Sequence, residues 1–338
     1  MALGPQEPVR RVTLADVASR AGVSTALASI VMRNAPGASA QSRERIRRVA
    51  AELGYRPDAR ARSLASLSTR VMGVLFGRAG RFHLELLDGL YTAAAERGCD
   101  LVLSALTASR DEHQALESLH ESRFDALVML GPPVAVPELA GQLPVVVMGW
   151  HVDHPDVDIV RTSDEHGMSQ AVDHLVELGH RDIVHLQGGD GLVALARRSG
   201  YEAAMRAAGL SAHVRVVECH GEDQLDGQRA AAAMLADGRL PTAIIAFNDD
   251  LGAAAMSVLA QQGIDVPRDI SVIGFDDSEL ARSPFIELTS IQQLPQEMAR
   301  LAVARVIART DGSDVVDREI VLEPSLIVRH TTAPAATT

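Results

Sequence analysis

The sequence predicts an α/β protein with a small three-helix head and a body of two doubly wound lobes. Two short amphipathic helices separated by a glycine occupy residues 13–34. From residue 71, near-continuous runs of valine, leucine and methionine alternate with helical segments, which is the pattern of parallel strands buried on both faces. The alternation restarts after residue 168. A second lobe, and a cleft between the two, is therefore expected.

The head begins with a predicted helix-turn-helix. Thr13 and Asp16 form a capping pair, so the first helix should begin at Leu14. Gly22 ends it, because glycine readily takes the left-handed conformation of a tight turn, and the Ser24 hydroxyl can cap the second helix. This layout is typical of a helix-turn-helix, although an ordinary helical hairpin in a core has the same spacing. A third helix should bury one face made of Ile46, Val49, Ala50 and Leu53.

Charge is distributed unevenly along the chain. The net charge is −12, yet residues 1–70 hold twelve arginines against five acidic residues, which gives the head +7 and leaves −19 for the rest. A basic head on an acidic body is expected when only one end of a protein meets phosphates.

The body shows the alternating elements in order. Strands are predicted at 71–76, 100–106, 125–130, 144–150, 214–219, 242–250 and 270–277, with helices between them. A further strand is predicted after Gly179 and ends at Gln187, a helix is predicted at 298–309, and a last extended piece at 319–330. The predicted divisions are a disordered N-terminus (1–11), the helix-turn-helix domain (12–56), a hinge helix and linker (57–70), a core (71–330) and a disordered tail (331–338). Within the core, lobe one takes 71–168 and 294–317, and lobe two takes 169–293 and 318–330.

Two stretches carry a family resemblance. The segment VTLADVASRAGVS at 12–24, followed by ELGYRPDARARSL at 52–64, resembles the DNA-binding head and hinge of LacI/GalR-family bacterial repressors. Further matching motifs, such as FND at 247–249 and VPRDISVIGFDD at 266–277, extend the resemblance over about residues 12–330. It implies a body like periplasmic sugar-binding proteins, with a ligand held between the lobes.

The resemblance also implies a DNA-binding surface. In the family the hinge folds when two copies meet in the minor groove, where Leu64 would wedge into the central base step; a flexible arginine-rich linker is the alternative. Leu27 and Ile30 replace the usual threonine and arginine of the recognition helix, and apolar side chains read thymine methyls. An unusual operator is expected, an inverted repeat with a central C-G step. The candidate DNA-binding residues are Thr13, Leu14, Ser24, Thr25, Ala26, Ser29, Arg33, Asn34, Ser39, Tyr55, Arg60, Ala61 and Leu64.

A second set of residues is implied for the cleft. Carboxylates accept hydrogen bonds from hydroxyls, and a guanidinium can grip vicinal hydroxyls or an acid. By resemblance, Arg197, Asn248 and Asp276 line an effector pocket, although Asp276 could instead cap a helix or lie in a solvated loop. Trp150 could stack on a sugar face or simply pack between the lobes. The full effector set is Phe82, His83, Trp150, Asp164, His166, Arg197, Asn248, Asp276 and Gln293.

These observations predict a DNA-binding transcriptional regulator of sugar or related catabolic genes, most simply a repressor, controlled by a sugar or sugar-like effector. No signal peptide or membrane span is expected, so the protein is placed in the cytoplasm, on the nucleoid. A homodimer is favoured over a tetramer because no leucine heptads follow His330. No catalytic residue, cofactor or metal site is expected; the histidines at 151 and 154 are interpreted as incidental.

Two alternatives remain at this point. An α/β enzyme acting on a sugar or nucleoside would show turnover without DNA binding, but the sequence has no G-x-G-x-x-G, P-loop or nucleophile elbow. A solute-binding protein is opposed by the basic head and the missing signal peptide.

Overall fold

The computed structural model describes residues 12–32, 36–53, 55, 70–77, 80–107, 109–131, 140–313 and 315–336. The chain forms two compact units, Met1–Thr69 and Arg70–Thr338. The predicted disordered N-terminus, and the whole predicted hinge except Arg70, lie outside the described residues.

The described residues of the head form three helices: α1 (Leu14–Ala21), α2 (Thr25–Met32) and α3 (Ala40–Glu52). The capping box is confirmed, because the Thr13 hydroxyl accepts from the Asp16 backbone N–H and the Asp16 carboxylate accepts from the Thr13 N–H at 2.8 Å. Gly22 takes the left-handed conformation (φ 64°), which turns the chain into α2. The three helices bury one small apolar core of Val17, Ala18, Ala21, Ala28, Val31, Ile46, Val49 and Ala50.

Lobe one is a parallel six-stranded sheet in the order β11-β5-β4-β3-β1-β2. Its strands are β1 (Val71–Phe76), β2 (Asp100–Ala105), β3 (Ala126–Leu130), β4 (Val145–Met148), β5 (Val157–Thr162) and β11 (Glu319–Leu322). Helices α4 (Arg81–Glu96), α5 (Glu112–His120) and α11 (Pro295–Thr310) cover it.

Lobe two is also built on a six-stranded sheet, with the strand order β12-β10-β9-β8-β6-β7. The β10–β12 pair is antiparallel and the other pairs are parallel. Its strands are β6 (Ile183–Gln187), β7 (Arg215–Glu218), β8 (Ala243–Ala246), β9 (Ser271–Asp276), β10 (Thr289–Gln292) and β12 (Ser325–Ile327). Its helices are α6 (Asp164–Glu177), α7 (Leu192–Ala207), α8 (Gln224–Ala236), α9 (Asp249–Gln261) and α10 (Glu279–Arg282), with a short 3-10 turn at Ser211–His213.

The chain crosses between the lobes between β5 and α6, between β10 and α11, and between β11 and β12. The assignment of 318–330 to lobe two is therefore wrong in part, since Glu319–Leu322 pairs in parallel with β5 in lobe one. The two short strands lie on either side of Glu323 and Pro324, and both are rich in strand-forming residues, so the sequence reads as one extended piece. Strand β5 itself was not predicted.

The predicted disordered tail is also wrong for residues 331–336, which bind along lobe two. Thr331 is 2% exposed; its hydroxyl donates to the Val272 carbonyl at 2.7 Å and accepts from the Thr289 N–H at 2.9 Å. The Ala335 N–H donates to the Leu178 carbonyl at 2.8 Å. A run of threonine and alanine has the composition of a disordered tail, but here its backbone finds partners on elements distant in sequence.

Replacing Thr331 with valine should therefore destabilise the core by about 1–3 kcal/mol, since two buried backbone groups lose their side-chain partner while the volume is kept. Urea unfolding followed by the fluorescence of the single tryptophan measures this. Thr332→Val is the matched control, because Thr332 is partly buried and its hydroxyl contacts the side chains of His174 and Thr289 rather than buried backbone groups. Equal midpoints for the two variants would contradict this role of the tail.

Among the described residues, no single helix is long and apolar enough to cross a membrane. Helices α1 and α2 taken together match a span in length and composition, but they are bent by 109° at the turn between them.

Candidate functional site

Arg197 is the centre of a buried polar cluster at the carboxyl ends of the lobe-two strands. It lies on α7 and is 4% exposed. Its Nε donates to Asp164 Oδ1 at 2.8 Å and its Nη1 donates to the Phe247 carbonyl at 2.6 Å. Its Nη2 lies 3.5 Å from Asp276 Oδ1. One guanidinium thus joins the start of α6 to the ends of β8 and β9.

The same guanidinium lies over two aromatic rings. Its central carbon is 3.6 Å from the ring centroid of Phe275 and 4.7 Å from that of Phe247. Phe275 is in β9 and Phe247 directly follows β8, and these strands are neighbours in the sheet, so the two rings come from adjacent strand ends. Cation–π attraction and the carboxylates together compensate for removing the Arg197 charge from water.

Asp276 ends β9 with an unusual backbone. Its φ is +107° and that of Asp277 is +51°, conformations that side-chain-bearing residues rarely adopt and that often mark functional sites. The Gln293 amide donates to Asp276 Oδ1 at 2.8 Å. Burial raises the pKa of Asp276 to about 8, while Arg197 acts in the opposite direction. The strand end is therefore held by specific partners.

Asp249 connects three elements of lobe two next to this cluster. Its carboxylate accepts from the backbone and hydroxyl of Ser278, both at 2.7 Å, and from the Ser290 hydroxyl at 2.6 Å. Burial raises its pKa to about 7 against those hydrogen bonds. It fastens α9 to the loop after β9 and to β10.

Lobe one meets this cluster through the first turn of α4. Phe82 and His83 lie there, with ring centroids 6.2 Å apart. Arg81 pairs with Asp250 at 3.2 Å, and Glu85 accepts from the Glu279 N–H at 3.0 Å. The start of α4 is therefore tied directly to lobe two.

His83, at the contact between α4 and lobe two, should make the stability of the protein depend on pH. Burial, with a smaller effect of Arg197, lowers the pKa of His83 from 6.5. Because the folded-state pKa lies below the unfolded one, the stability due to neutral His83 is present above pH 6.5 and lost as pH falls through the lowered pKa.

The unfolding free energy of wild type relative to His83→Asn should therefore decrease between about pH 7.5 and about pH 5. Carboxyl groups common to both proteins cancel in this difference. His113→Asn, at an exposed position on α5, is the control. If the difference in unfolding free energy between wild type and His83→Asn stayed constant with pH, the lowered pKa of His83 would be refuted.

A cavity of about 460 Å³ lies between the lobes beside Arg197. Trp150 lines it, is 6% exposed, and its indole Nε1 has no hydrogen-bond partner among the described residues. Asp164 belongs to both the cavity wall and the Arg197 cluster. The complete lining is Trp150, His151, Arg161, Asp164, Glu165, Leu192, Val193, Ala196 and Glu319.

The predicted effector residues are thus only partly brought together. Asp164 and Asp276 contact Arg197, and Gln293 donates to Asp276. Of the predicted effector residues, Trp150 and Asp164 line the adjoining cavity. Asn248 instead caps α9, accepting from the Leu251 N–H at 2.9 Å and donating to the Glu222 carbonyl at 3.0 Å. His166 is exposed and contacts the Glu323 carboxylate; neither it nor Asn248 lines the cavity.

Sequence reasoning missed four residues that shape the site: Phe247, Phe275, Arg161 and Glu319. The phenylalanines lay within quoted motifs, and their position at strand ends was the available signal. Arg161 lies on the unpredicted strand β5, and Glu319 on a strand assigned to the wrong lobe. Within the described part of the chain, no three His, Cys, Asp or Glu side chains are grouped so that they could hold a metal ion.

The candidate DNA-binding residues lie mainly at helix starts in the head. Thr13, Ser24, Thr25, Ala26 and Ser39 are exposed, whereas Leu14, Ser29 and Tyr55 are partly buried. The starts of helices present unpaired backbone N–H groups, which suit phosphate oxygens. Arg45, Arg47 and Arg48 add exposed positive charge on α3. The remaining candidates, Arg33, Asn34, Arg60, Ala61 and Leu64, fall outside the described residues.

Comparison with known proteins matches both units. The family model for bacterial regulatory proteins of the lacI family matches residues 13–58, and that for periplasmic binding protein-like domains matches residues 172–332. The HTH-type transcriptional regulator GalR of Escherichia coli is 32% identical, over 94% of this chain and 95% of its own length. The chain belongs to the LacI family of bacterial regulatory proteins. As a LacI-family protein, it is a DNA-binding transcriptional regulator.

Other members of the LacI family support the same conclusion. The ribose operon repressor of Haemophilus influenzae is 30% identical, over 94% of this chain and 98% of its own. A crystal structure of the Lac repressor dimer bound to operator and the anti-inducer ONPF superposes with a TM-score of 0.85, at 28% identity, covering 96% of this chain and all of that one. A LacI transcriptional regulator from a Rhodococcus species is 39% identical with a TM-score of 0.75, over 79% of this chain and all of that one. The predicted fold, an N-terminal helix-turn-helix head with two parallel-sheet lobes, is confirmed.

Proposed function

We propose that this protein is a homodimeric repressor whose affinity for an inverted-repeat operator is controlled by a sugar-like effector bound between the lobes. The observation that carries the proposal is one chain combining a lacI-type head at 13–58 with an interlobe cavity that adjoins a buried arginine–carboxylate cluster. The ribose operon repressor and the Lac repressor are relatives whose names connect them to sugar operons.

The effector part of the proposal rests on how the cavity is built. Its wall takes Trp150, Arg161 and Glu319 from lobe one, and Val193 from lobe two. A ligand contacting both sides favours one relative position of the lobes, and such differential binding is what an allosteric effector requires. The predicted set around Arg197 would stabilise the ligand-binding wall, with Asp164 shared between cluster and cavity.

A regulatory rather than an enzymatic role is proposed for the body. The guanidinium of Arg197 and the carboxylate of Asp249 are engaged with other groups of the protein. These arrangements suit holding a ligand and sensing its presence. Turnover of a sugar or nucleoside by the purified protein would contradict this part of the proposal.

Dimer formation is proposed to use the outer face of α4. Leu84 and Tyr91 are seven residues apart on this helix, so they share one face, and they are 56% and 48% exposed. Large apolar side chains grouped on a surface often mark a protein–protein contact.

Tyr91→Asp should therefore shift the protein towards monomer and weaken operator binding at the same concentration by about tenfold or more, because both half-sites no longer bind as a unit. Light scattering coupled to gel filtration measures the mass. Leu240→Asp, at an equally exposed apolar residue of lobe two, is the control. If Tyr91→Asp formed a dimer of unchanged stability, the dimer interface would have to lie elsewhere than on α4.

The effector proposal is tested with fluorescently labelled operator DNA, obtained by selection, and full-length protein. Sugars are added while anisotropy reports bound DNA. Release or tightening at a defined ligand concentration supports the proposal. Operator binding that responds to none of the sugars would overturn the effector part and leave the DNA-binding part standing.

A further inference from the structure

The cavity wall carries an excess of negative charge. Among the described residues that line it, the carboxylates of Asp164, Glu165 and Glu319 face a single guanidinium, that of Arg161. His151 adds a ring whose Nδ1 lies 3.1 Å from Glu319 Oε1. A ligand entering the cavity therefore meets more carboxylates than cations.

The one lining guanidinium is already engaged. Arg161 Nε donates to Glu319 Oε1 at 2.6 Å, and Nη1 lies 3.5 Å from Glu165 Oε2. Nη1 also points to the Thr162 carbonyl at 3.4 Å. An anionic ligand group that bound Arg161 would therefore lie beside the carboxylates of Glu319 and Glu165 or would have to displace one of them.

The neighbouring Arg197 cannot replace Arg161 as a binding partner for an anionic ligand. Its donors face Asp164, the Phe247 carbonyl and Asp276, and Phe rings cover its plane. Recognition of phosphate or carboxylate relies on arginine forks or other free cationic donors. Both arginines at this site instead neutralise carboxylates of the protein.

The remaining wall is apolar. Leu192, Val193 and Ala196 lie at the start of α7, and Trp150 contributes a large aromatic side chain. Carboxylates accept hydrogen bonds from hydroxyls, the Trp150 N–H can donate to a ligand oxygen, and an apolar wall suits the C–H face of a sugar ring.

We propose that the cavity selects an uncharged, hydroxylated ligand with one apolar face, namely an unphosphorylated sugar, and rejects its phosphorylated or acidic counterparts. This inference rests on the proposed effector function and adds the charge class of the effector. The discriminating group is the Arg161–Glu319 pair, which occupies the position where an anion would otherwise bind.

The full-length protein supplies its own reporter, because Trp150 is its single tryptophan. Titrations would follow Trp150 fluorescence with glucose, glucose 6-phosphate and gluconate, with galactose and galactose 1-phosphate, and with ribose and ribose 5-phosphate. Within the set that responds, the neutral sugar should bind at least about tenfold more tightly than its anionic counterpart, the scale of one mispaired charge. An anionic member that binds as tightly as its neutral counterpart, or more tightly, overturns the inference.

Glu319→Gln tests the discriminating pair directly. The amide keeps the shape and a hydrogen bond to Arg161 but removes the charge, so the preference for the neutral sugar should shrink by about tenfold. Glu323→Gln is the matched control, since Glu323 is exposed, contacts His166 and does not line the cavity. An unchanged preference in Glu319→Gln would overturn the role of the pair.

Collisional quenching of Trp150 fluorescence tests the charge of the cavity wall without any ligand. Relative to their effects on free tryptophan, caesium should quench Trp150 more effectively than iodide in wild type, and this difference should narrow in Glu319→Gln. Stronger relative quenching by iodide would overturn the inference while leaving the regulator intact. Failure of every sugar, neutral and anionic, to change both fluorescence and operator binding would instead overturn the effector proposal, and the inference with it.

Discussion

Replacing Arg197 with methionine will abolish the response of operator binding to ligand and lower the free energy of unfolding by about 3–5 kcal/mol. The substitution leaves the carboxylate of Asp164 buried without its guanidinium partner, and removes the cation that lies over the rings of Phe247 and Phe275. It also disconnects α6 from the ends of β8 and β9, which together hold one wall of the cavity. Both effects arise from the same side chain.

The measurements are urea unfolding, followed by Trp150 fluorescence, and operator anisotropy with ligand. Arg198→Met is the matched control: the neighbouring residue is more exposed, and its partners are Glu202 and Glu218, which are 33% and 75% exposed, and the side chain of Gln187. Arg198→Met should lower the free energy of unfolding by less than about 1 kcal/mol and should keep the response of operator binding to ligand. Similar losses in the two variants would show that Arg197 has no special place in the site.

Ala28→Asp will lower operator affinity by about a hundredfold or more while leaving ligand binding unchanged. Ala28 is fully buried in the small core of the head, where an aspartate finds no cationic partner on the facing residues, which are apolar. A core of this size cannot absorb an unpaired charge, so the helix-turn-helix should unfold. The core of Arg70–Thr338 is a separate compact unit and should keep its cavity.

Ala51→Asp makes the same chemical change on the exposed side of α3 and serves as the control. Its operator affinity should fall far less. Anisotropy reports DNA binding and Trp150 fluorescence reports the ligand, so the two functions are measured in one sample. Loss of ligand binding in Ala28→Asp would show that the two units do not act as independent folding units.

Much of the fold follows from local pattern. Strand β1 begins and ends at the predicted residues, and the first two head helices begin at the predicted caps, because the signals for a buried strand and for a helix cap lie in residues close together in the sequence. The position of Asp276 at the carboxyl edge of the sheet also follows from the strand pattern, whereas its grouping with Arg197, which lies on α7, was implied by the family resemblance.

The rest depended on contacts between distant residues. Glu319 and Ser325 are six positions apart in similar strand-like sequence, yet they pair in different lobes, so the cavity residue Glu319 could not be placed from its neighbours. Thr331 is ordered by Val272 and Thr289 rather than by its own segment. The roles of the hinge residues stay predictions, because they lie outside the described residues.

The central claim, a DNA-binding regulator with two-fold operator recognition, is tested most directly by selecting bound sequences from a random DNA pool. Purified full-length protein is used at about 0.1 M salt, because phosphate contacts weaken as salt rises. We expect enrichment of an inverted repeat with a central C-G step, in which Thr25, Ala26 and Leu27 favour thymine-rich half-sites. Recovery of an asymmetric sequence, or of no consensus, would contradict the account.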